Sequence, residues 1–256
     1  MAYTLAVPLE CREAACENTS VNQMLPIVAG AVGLGAGLAA WGAFHPASQL
    51  FGPTIRLTGR KSAIALTFDD GPNPEATPRL LDLLDRQGVR ATFFLIGRHV
   101  RACPQLAAEI AARGHVLGNH TETHPRLTWL STQSAAGELQ RCQEAIEKAA
   151  GHAPEWMRPP YGARGPQVAA AVRQAGLRGV VMWSVWARDW KPQPAQPVIE
   201  RLRKVRGGDI VVLHDGAPGQ LGADRSHTVA ALEHWLPRWK EAGLEFVTLD
   251  EIAEPK

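Results

Sequence analysis

The feature that most constrains this chain is a regular alternation of two segment types that begins near residue 62. A short apolar run is followed by a loop, then by a longer amphipathic stretch, then by another apolar run. Apolar runs lie at 64–68, 92–96, 115–118, 155–157, 179–183, 209–213 and 245–249. The stretches between them predict helices near 77–87, 104–113, 131–149, 166–175, 197–205 and 225–242. Several of these stop at a glycine (Gly88, Gly114, Gly151, Gly176, Gly243), the residue that ends a helix most easily because it adopts left-handed backbone without a Cβ clash. Strands alternating with helices must pair in parallel, since each crossover returns the chain to the same end of the sheet. No glycine-rich phosphate fingerprint comes after the first run, where TFDDGPNP stands instead. The expected fold is therefore α/β, a distorted (β/α) barrel of about seven parallel strands, rather than a dinucleotide-binding open sheet.

Composition closes off other classes. At 256 residues the chain has ample length for one large core. Lys plus Arg number 27 against 25 Asp plus Glu, a net charge of +2 that supplies no field to hold a polyanion, so nucleic acid is not an expected partner. Cys11, Cys16, Cys103 and Cys142 make no C-x-x-C pair, which argues against a zinc knuckle or a disulfide framework. No protein partner is indicated.

The amino-terminal part reads differently. Residues 18–55 contain no Lys, Arg, Asp or Glu, and LPIVAGAVGLGAGLAAWGAF at 25–44 would be about 30 Å long as a helix, enough to cross a bilayer. The expected organisation is an extension at 1–23, an apolar transmembrane helix or signal anchor at 24–44, a Pro- and Gly-bearing linker at 45–61 and a catalytic domain at 62–256. Arg56, Arg60 and Lys61 after the apolar run would by charge bias keep the domain in the cytoplasm.

In parallel α/β folds the working face is the carboxyl end of the strands. The residues at the ends of the runs are Asp69 and Asp70, His120 and His124, Arg158, Asp189 and Trp190, and His214 and Asp215. Two adjacent carboxylates after an apolar strand repel each other, and a cation relieves the repulsion. HTETH places two imidazoles at i and i+4, which share a side if the segment forms a helical turn. With one aspartate these make a His₂Asp set, three protein ligands with open positions, as in catalytic metal sites. Zinc is the first expectation, with cobalt, iron, manganese or nickel compatible with the same donors. The other aspartate is a candidate base for water, oriented by Arg158, and His214 a candidate acid with Asp189 as its partner.

These residues resemble the polysaccharide deacetylases, the NodB homology family also known as carbohydrate esterase family 4. The resemblance runs from Ile64 to about Ile252 through TFDDGP (67–72), HTETH (120–124), RPPYG (158–162), WSVWARDW (183–190) and VVLHDG (211–216), in the family's order. It implies a metal-dependent hydrolase that removes acetyl groups from N-acetylated sugars of a cell-wall, chitin-like or capsular glycan. It further implies that Asp69 is the base and that Asp70, His120 and His124 hold the metal. Arg158 would position Asp69, and the Tyr161 backbone N–H would stabilise the oxyanion. His214, tuned by Asp189, would protonate the leaving amine, while Trp190 and Leu213 would line the acetyl pocket. The chain departs from the family's D-x-x-D-W pattern by carrying Trp186 at the first acidic position, so Trp186 becomes a candidate glycan contact. The alternatives are an O-acetyl esterase of the xylan type using the same site, and an inactive glycan-binding module. Because acetylated wall polymers lie outside the cytoplasmic membrane, the substrate argues, against the charge bias, for a membrane-tethered domain facing outward.

Overall fold

The computed structural model of the protein describes residues 33–252. The chain divides into two compact units, Met1–Ala40 and Trp41–Lys256. In the first, the described residues 33–40 are helical. Most of the expected membrane-spanning run, and the extension at 1–23, lie outside the described residues. Among the described residues no helix is long and apolar enough to cross a membrane.

The second unit is built on a parallel sheet. Its strands are β1 (Thr54–Ile55), β2 (Ala63–Gly71), β3 (Thr92–Leu95), β4 (Val116–Asn119), β5 (Trp156–Met157), β6 (Gly179–Val181), β7 (Val185–Trp186), β8 (Ile210–His214) and β9 (Glu245–Phe246). They lie in the order β1-β6-β5-β4-β3-β2-β8-β7, with β9 added beside the start of β2. The sheet curls into a half-barrel, and Leu57, just beyond the edge strand β1, bridges Asp209, just before β8, the strand next to the other edge. The expected seven strands are all present. The two that periodicity does not reveal, β1 and β7, are two residues long, too short for period-2 alternation to register. β1 also falls inside the expected linker, so the folded unit begins well before residue 62.

The helices are α1 (Thr77–Gln87), α2 (Gly97–Ala102), α3 (Pro104–Ala112), α4 (Thr132–Ala150), α5 (Pro166–Gln174), α6 (Ala195–Leu202) and α7 (Ser226–Glu241). α1, α3 and α5 begin with proline in the first turn, where the missing N–H has no intrahelical acceptor to lose. Leu80, Leu81 and Leu84 of α1, Ile110 of α3, Leu202 of α6 and Leu232 of α7 meet Ile64, Leu66 and Phe68 of β2 in the outer core. Alternation along β2 then sends Ala63 and Ala65 to the inner core with Phe94, Trp156 and Val181. Thr67 and Asp69 continue that inward row. A polar pair is thus delivered to the barrel interior by the strand that is buried along its whole length.

Candidate active site

The end of β2 is where two neighbouring carboxylates are made to do different things. In a regular strand Asp69 and Asp70 would point to opposite faces. The pairing register with β3 shifts between Asp69 and Gly71, and Asp70 takes a left-handed φ of 73°. Such a bulge re-aims a side chain. Asp69 accepts a hydrogen bond from Arg158 Nη1 at 2.8 Å, whereas Asp70 approaches the two histidines. The glycine that completes the triplet is required by packing, since a Cβ on Gly71 would lie 2.2 Å from Asp215 Oδ2.

His120 lies just past β4, and its ring Nδ1 donates to the carbonyl of Arg158 at 2.7 Å. A carbonyl only accepts, so the proton sits on Nδ1 and the Nε2 lone pair is left free. Nε2 of His120 and of His124 lie 3.5 and 3.3 Å from Asp70 Oδ1. The segment between them is not the helical turn expected from i,i+4 spacing. It is a loop with left-handed backbone at Thr121 (φ 69°) and His124 (φ 60°), pinned where Asn119 Oδ1 accepts from Thr121 N–H and Thr121 Oγ1 from His124 N–H.

One donor atom each from Asp70, His120 and His124 fall within 4.8 Å of one another, all buried. Asp70 Oδ1 and His124 Nδ1 have no hydrogen-bond partner. Burial, the largest influence on Asp70, works to raise its pKa, but the imidazoles of His120, His214 and His124 outweigh it and bring it down to about 2. Burial, reinforced by His120, lowers His124 to about 3. An ionised carboxylate beside a neutral imidazole is the protonation state a cation requires of its ligands. The donor set therefore fits a divalent ion of the zinc type.

Arg158 is out of contact with solvent and makes four hydrogen bonds. Nη1 donates to Thr67 Oγ1 (2.7 Å) as well as to Asp69, Nε to the Val181 carbonyl and Nη2 to that of Met182, with Phe94 packed under the guanidinium. Across the cavity, His214 Nδ1 meets Asp189 Oδ1 at 2.8 Å. Asp189 is fully buried and its other oxygen accepts from the His214 N–H and from Thr228 Oγ1. Burial opposes charge on His214, but the Asp189 carboxylate prevails and raises its pKa to about 9, while Asp189 itself is lowered.

These groups border one cavity of about 460 Å³, which Asp69, Asp70, His120, His124, Tyr161 and His214 line. Tyr161 is half-exposed, with a left-handed φ of 59°, and its ring stands edge-on to His124. Trp183, Trp186 and Trp190 form one wall, Trp186 and Trp190 stacked at 4.8 Å.

One expected pocket residue lies elsewhere. Leu213 belongs to the outer core with Val211, and Val212 lines the cavity in its stead. The reason is the same alternation, because Val212 of β8 stands in register with Thr67 on the inward row of β2. Thr67 and Val212 were both recoverable by counting back two positions from Asp69 and His214. Phe44 and Pro46, which also line the cavity, carry no such signal. Neither does Arg225, buried, which donates to the carbonyls of Gly216 and Trp190 and so ties the end of β8 to the tryptophan loop.

A parallel β/α half-barrel with a His₂Asp donor set at its strand ends, flanked by an Asp–Arg pair and a His–Asp pair, defines the class of protein to which this chain is comparable. The polysaccharide deacetylase profile matches residues 56–180. Over 208 residues the chain is 39% identical to a chitooligosaccharide deacetylase of Bradyrhizobium sp., covering 77% of this chain and 92% of that protein. The chain belongs to the polysaccharide deacetylase family. It is also 39% identical over 201 residues to the peptidoglycan-N-acetylglucosamine deacetylase PgdA of Listeria monocytogenes, covering 78% of this chain and 41% of the relative, so it spans less than half of that protein's length. A solved peptidoglycan N-acetylglucosamine deacetylase, in complex with 4-naphthalen-1-yl-N-oxidanyl-benzamide, matches with a TM-score of 0.70 at 35% identity over 77% of this chain and 90% of that one.

Proposed function

We propose that this protein is a metal-dependent hydrolase that removes acetyl groups from N-acetylated amino sugars of a glycan. The observation that carries the reading is the placement of three separate devices on one cavity: a His₂Asp donor set, a carboxylate held by a buried arginine, and an imidazole held by a buried carboxylate. The likeness to peptidoglycan and chitooligosaccharide deacetylases supports it.

Asp70, His120 and His124 would hold the divalent ion, zinc by preference. When bound, the ion supplies Lewis acidity, polarising an acetyl carbonyl and making water more acidic. Asp69 takes the proton from the attacking water, its carboxylate fixed by Arg158. The left-handed backbone at Tyr161 presents an N–H to the oxygen that becomes negative as the carbonyl carbon turns tetrahedral. His214, cationic through Asp189, gives its proton to the amide nitrogen as the C–N bond breaks, releasing acetate and a free amine. Trp190 and Val212 flank the space for the acetyl methyl.

An amine leaves far less readily than an alkoxide, so a proton donor as strongly supported as His214 favours N-deacetylation over ester cleavage. A glycan-binding module without activity would have no use for either carboxylate–cation pair. Because wall and capsular glycans lie outside the cytoplasmic membrane, the reading places the domain on the outer side, where added protease would reach it in intact cells.

The test is acetate and amine release from N-acetylglucosamine oligomers, peptidoglycan and acetylated xylan, with and without chelator, beside Asp69→Asn. Amine release that chelator and the substitution both abolish is the expected result. Acetate release from xylan alone would establish the esterase instead.

A further inference from the structure

Beside the catalytic cavity lies a second one of about 210 Å³ that the mechanism leaves unused. The two share Pro46, Trp183 and Trp186 as a common wall, so a chain lying in the first extends over the second. The lining of the second is cationic: Arg56, Arg188 and Lys204 all contribute. Among the described residues none of the three has a carboxylate partner. Asp209, which touches the lining through Ser184, accepts from the Ser184 hydroxyl at 2.7 Å and from the Arg206 N–H at 2.9 Å.

Arg188 is held rather than loose. Its backbone is left-handed at φ 54°, its carbonyl accepts from the Gln193 amide, and its guanidinium stands 5.2 Å over the ring of Trp186. Trp186 occupies the position where the family pattern carries an acid. An acid there would neutralise Arg188 and repel an incoming anion, whereas the indole face supports the guanidinium and leaves its charge available. Three unpaired cations around a hollow next to a glycan cleft match a planar carboxylate, which Arg forks bind in bidentate fashion.

We propose that this hollow is an anion subsite, receiving a carboxylate carried by the sugar adjacent to the one that is deacetylated. The inference rests on the deacetylase reading for its glycan and assigns the substrate class as acid-bearing rather than neutral chains.

Binding separates the two. Asp69→Asn protein is titrated calorimetrically with two tetrasaccharides, one of N-acetylglucosamine alone and one alternating N-acetylglucosamine with N-acetylmuramic acid. The acid-bearing chain is expected to bind roughly tenfold more tightly at low salt, with the preference shrinking at about 0.5 M salt. Adding Arg56→Gln, Arg188→Gln and Lys204→Gln together is expected to bring the two affinities within about twofold. Circular dichroism checks that the combined variant folds, and the single Lys204→Gln and Arg188→Gln variants serve if it does not, each weakening the preference. Equal affinities in the parent, or a preference that survives the triple substitution, would overturn the subsite. Acetate release by the unsubstituted protein from the neutral chain tests the deacetylase reading independently, since the binding ratio does not depend on turnover.

Discussion

The Asp69 carboxylate accepts its hydrogen bond from Arg158, a guanidinium that solvent does not reach, while Thr67 on the same inward row of β2 accepts from the same nitrogen. A cation buried at the centre of a half-barrel is stable only because oxygens accept from it on several sides, here in four hydrogen bonds. The orientation of Asp69 and the architecture therefore depend on one residue.

Replacing Arg158 by Met keeps much of the volume and removes the charge. Asp69 is then left buried without its cation, and the thermal and urea midpoints should fall by the equivalent of about 3–5 kcal/mol. Turnover should fall at least 10²-fold even at temperatures where the variant is folded. Arg158→Lys restores charge but not the four-way contact and should recover only part of each loss. A variant with native stability and native turnover would remove Arg158 from any positioning role.

The His214–Asp189 pair gives the metal-free protein a characteristic pH response. The folded pKa of His214 is raised, to about 9 from 6.5. Its contribution to stability is thus fully present below pH 6.5 and is lost as pH rises through about 9. The loss is expected to reach about 3 kcal/mol as an upper figure, read from urea unfolding at pH 6 and pH 9.5. Asp189, lowered in the folded state, contributes in the opposite sense, its support vanishing as pH falls toward the acid range. In His214→Gln the alkaline loss should disappear, and a loss that persists would trace it to another group.

Much of this frame was legible in the sequence because it is carried by periodicity and by the residues that punctuate it. α1 was legible down to its stop at Gly88, and Asp69 and Asp70, His120, Arg158 and His214 stand out because each closely follows an apolar run. The features that escaped did so for physical reasons. β1 and β7 are too short to show a period, and the His120–His124 segment owes its geometry to left-handed backbone at two non-glycine residues, which no spacing rule anticipates. The bulge that separates the tasks of Asp69 and Asp70 is equally silent in the sequence, since DDG also describes an ordinary turn.

Val212 and Leu213 are adjacent and should behave as residues of two different environments. Leu213→Ala removes part of the outer core and should cost about 2–5 kcal/mol of stability with little change in KM for acetylated substrate. Val212→Ala enlarges the cavity instead. Its stability loss should be smaller, and its preference for propionyl over acetyl substrate should rise several-fold, within the range that one methylene allows. The reverse pattern would return Leu213 to the pocket.

The segment before the barrel is the last element on which the site depends. Arg164 is buried, and its backbone N–H and Nη2 donate to the carbonyls of Ala43 (2.9 Å) and His45 (2.9 Å), so it fastens the stretch that brings Phe44 and Pro46 to the cavity. A backbone held by side-chain donors rather than by a sheet is released when the donor goes. Arg164→Ala removes only the Nη2 bonds, to the carbonyls of Gly42 and His45, and the stretch from 42 to 46 should become a site of faster limited proteolysis. Loss of its wall contacts weakens uniform binding of substrate, so KM should rise several-fold while kcat changes less. The β/α frame does not rest on this stretch, and near-native thermal stability is expected. If kcat collapses with KM unchanged, Arg164 acts on the reacting groups instead of on the wall, and Phe44 and Pro46 are bystanders.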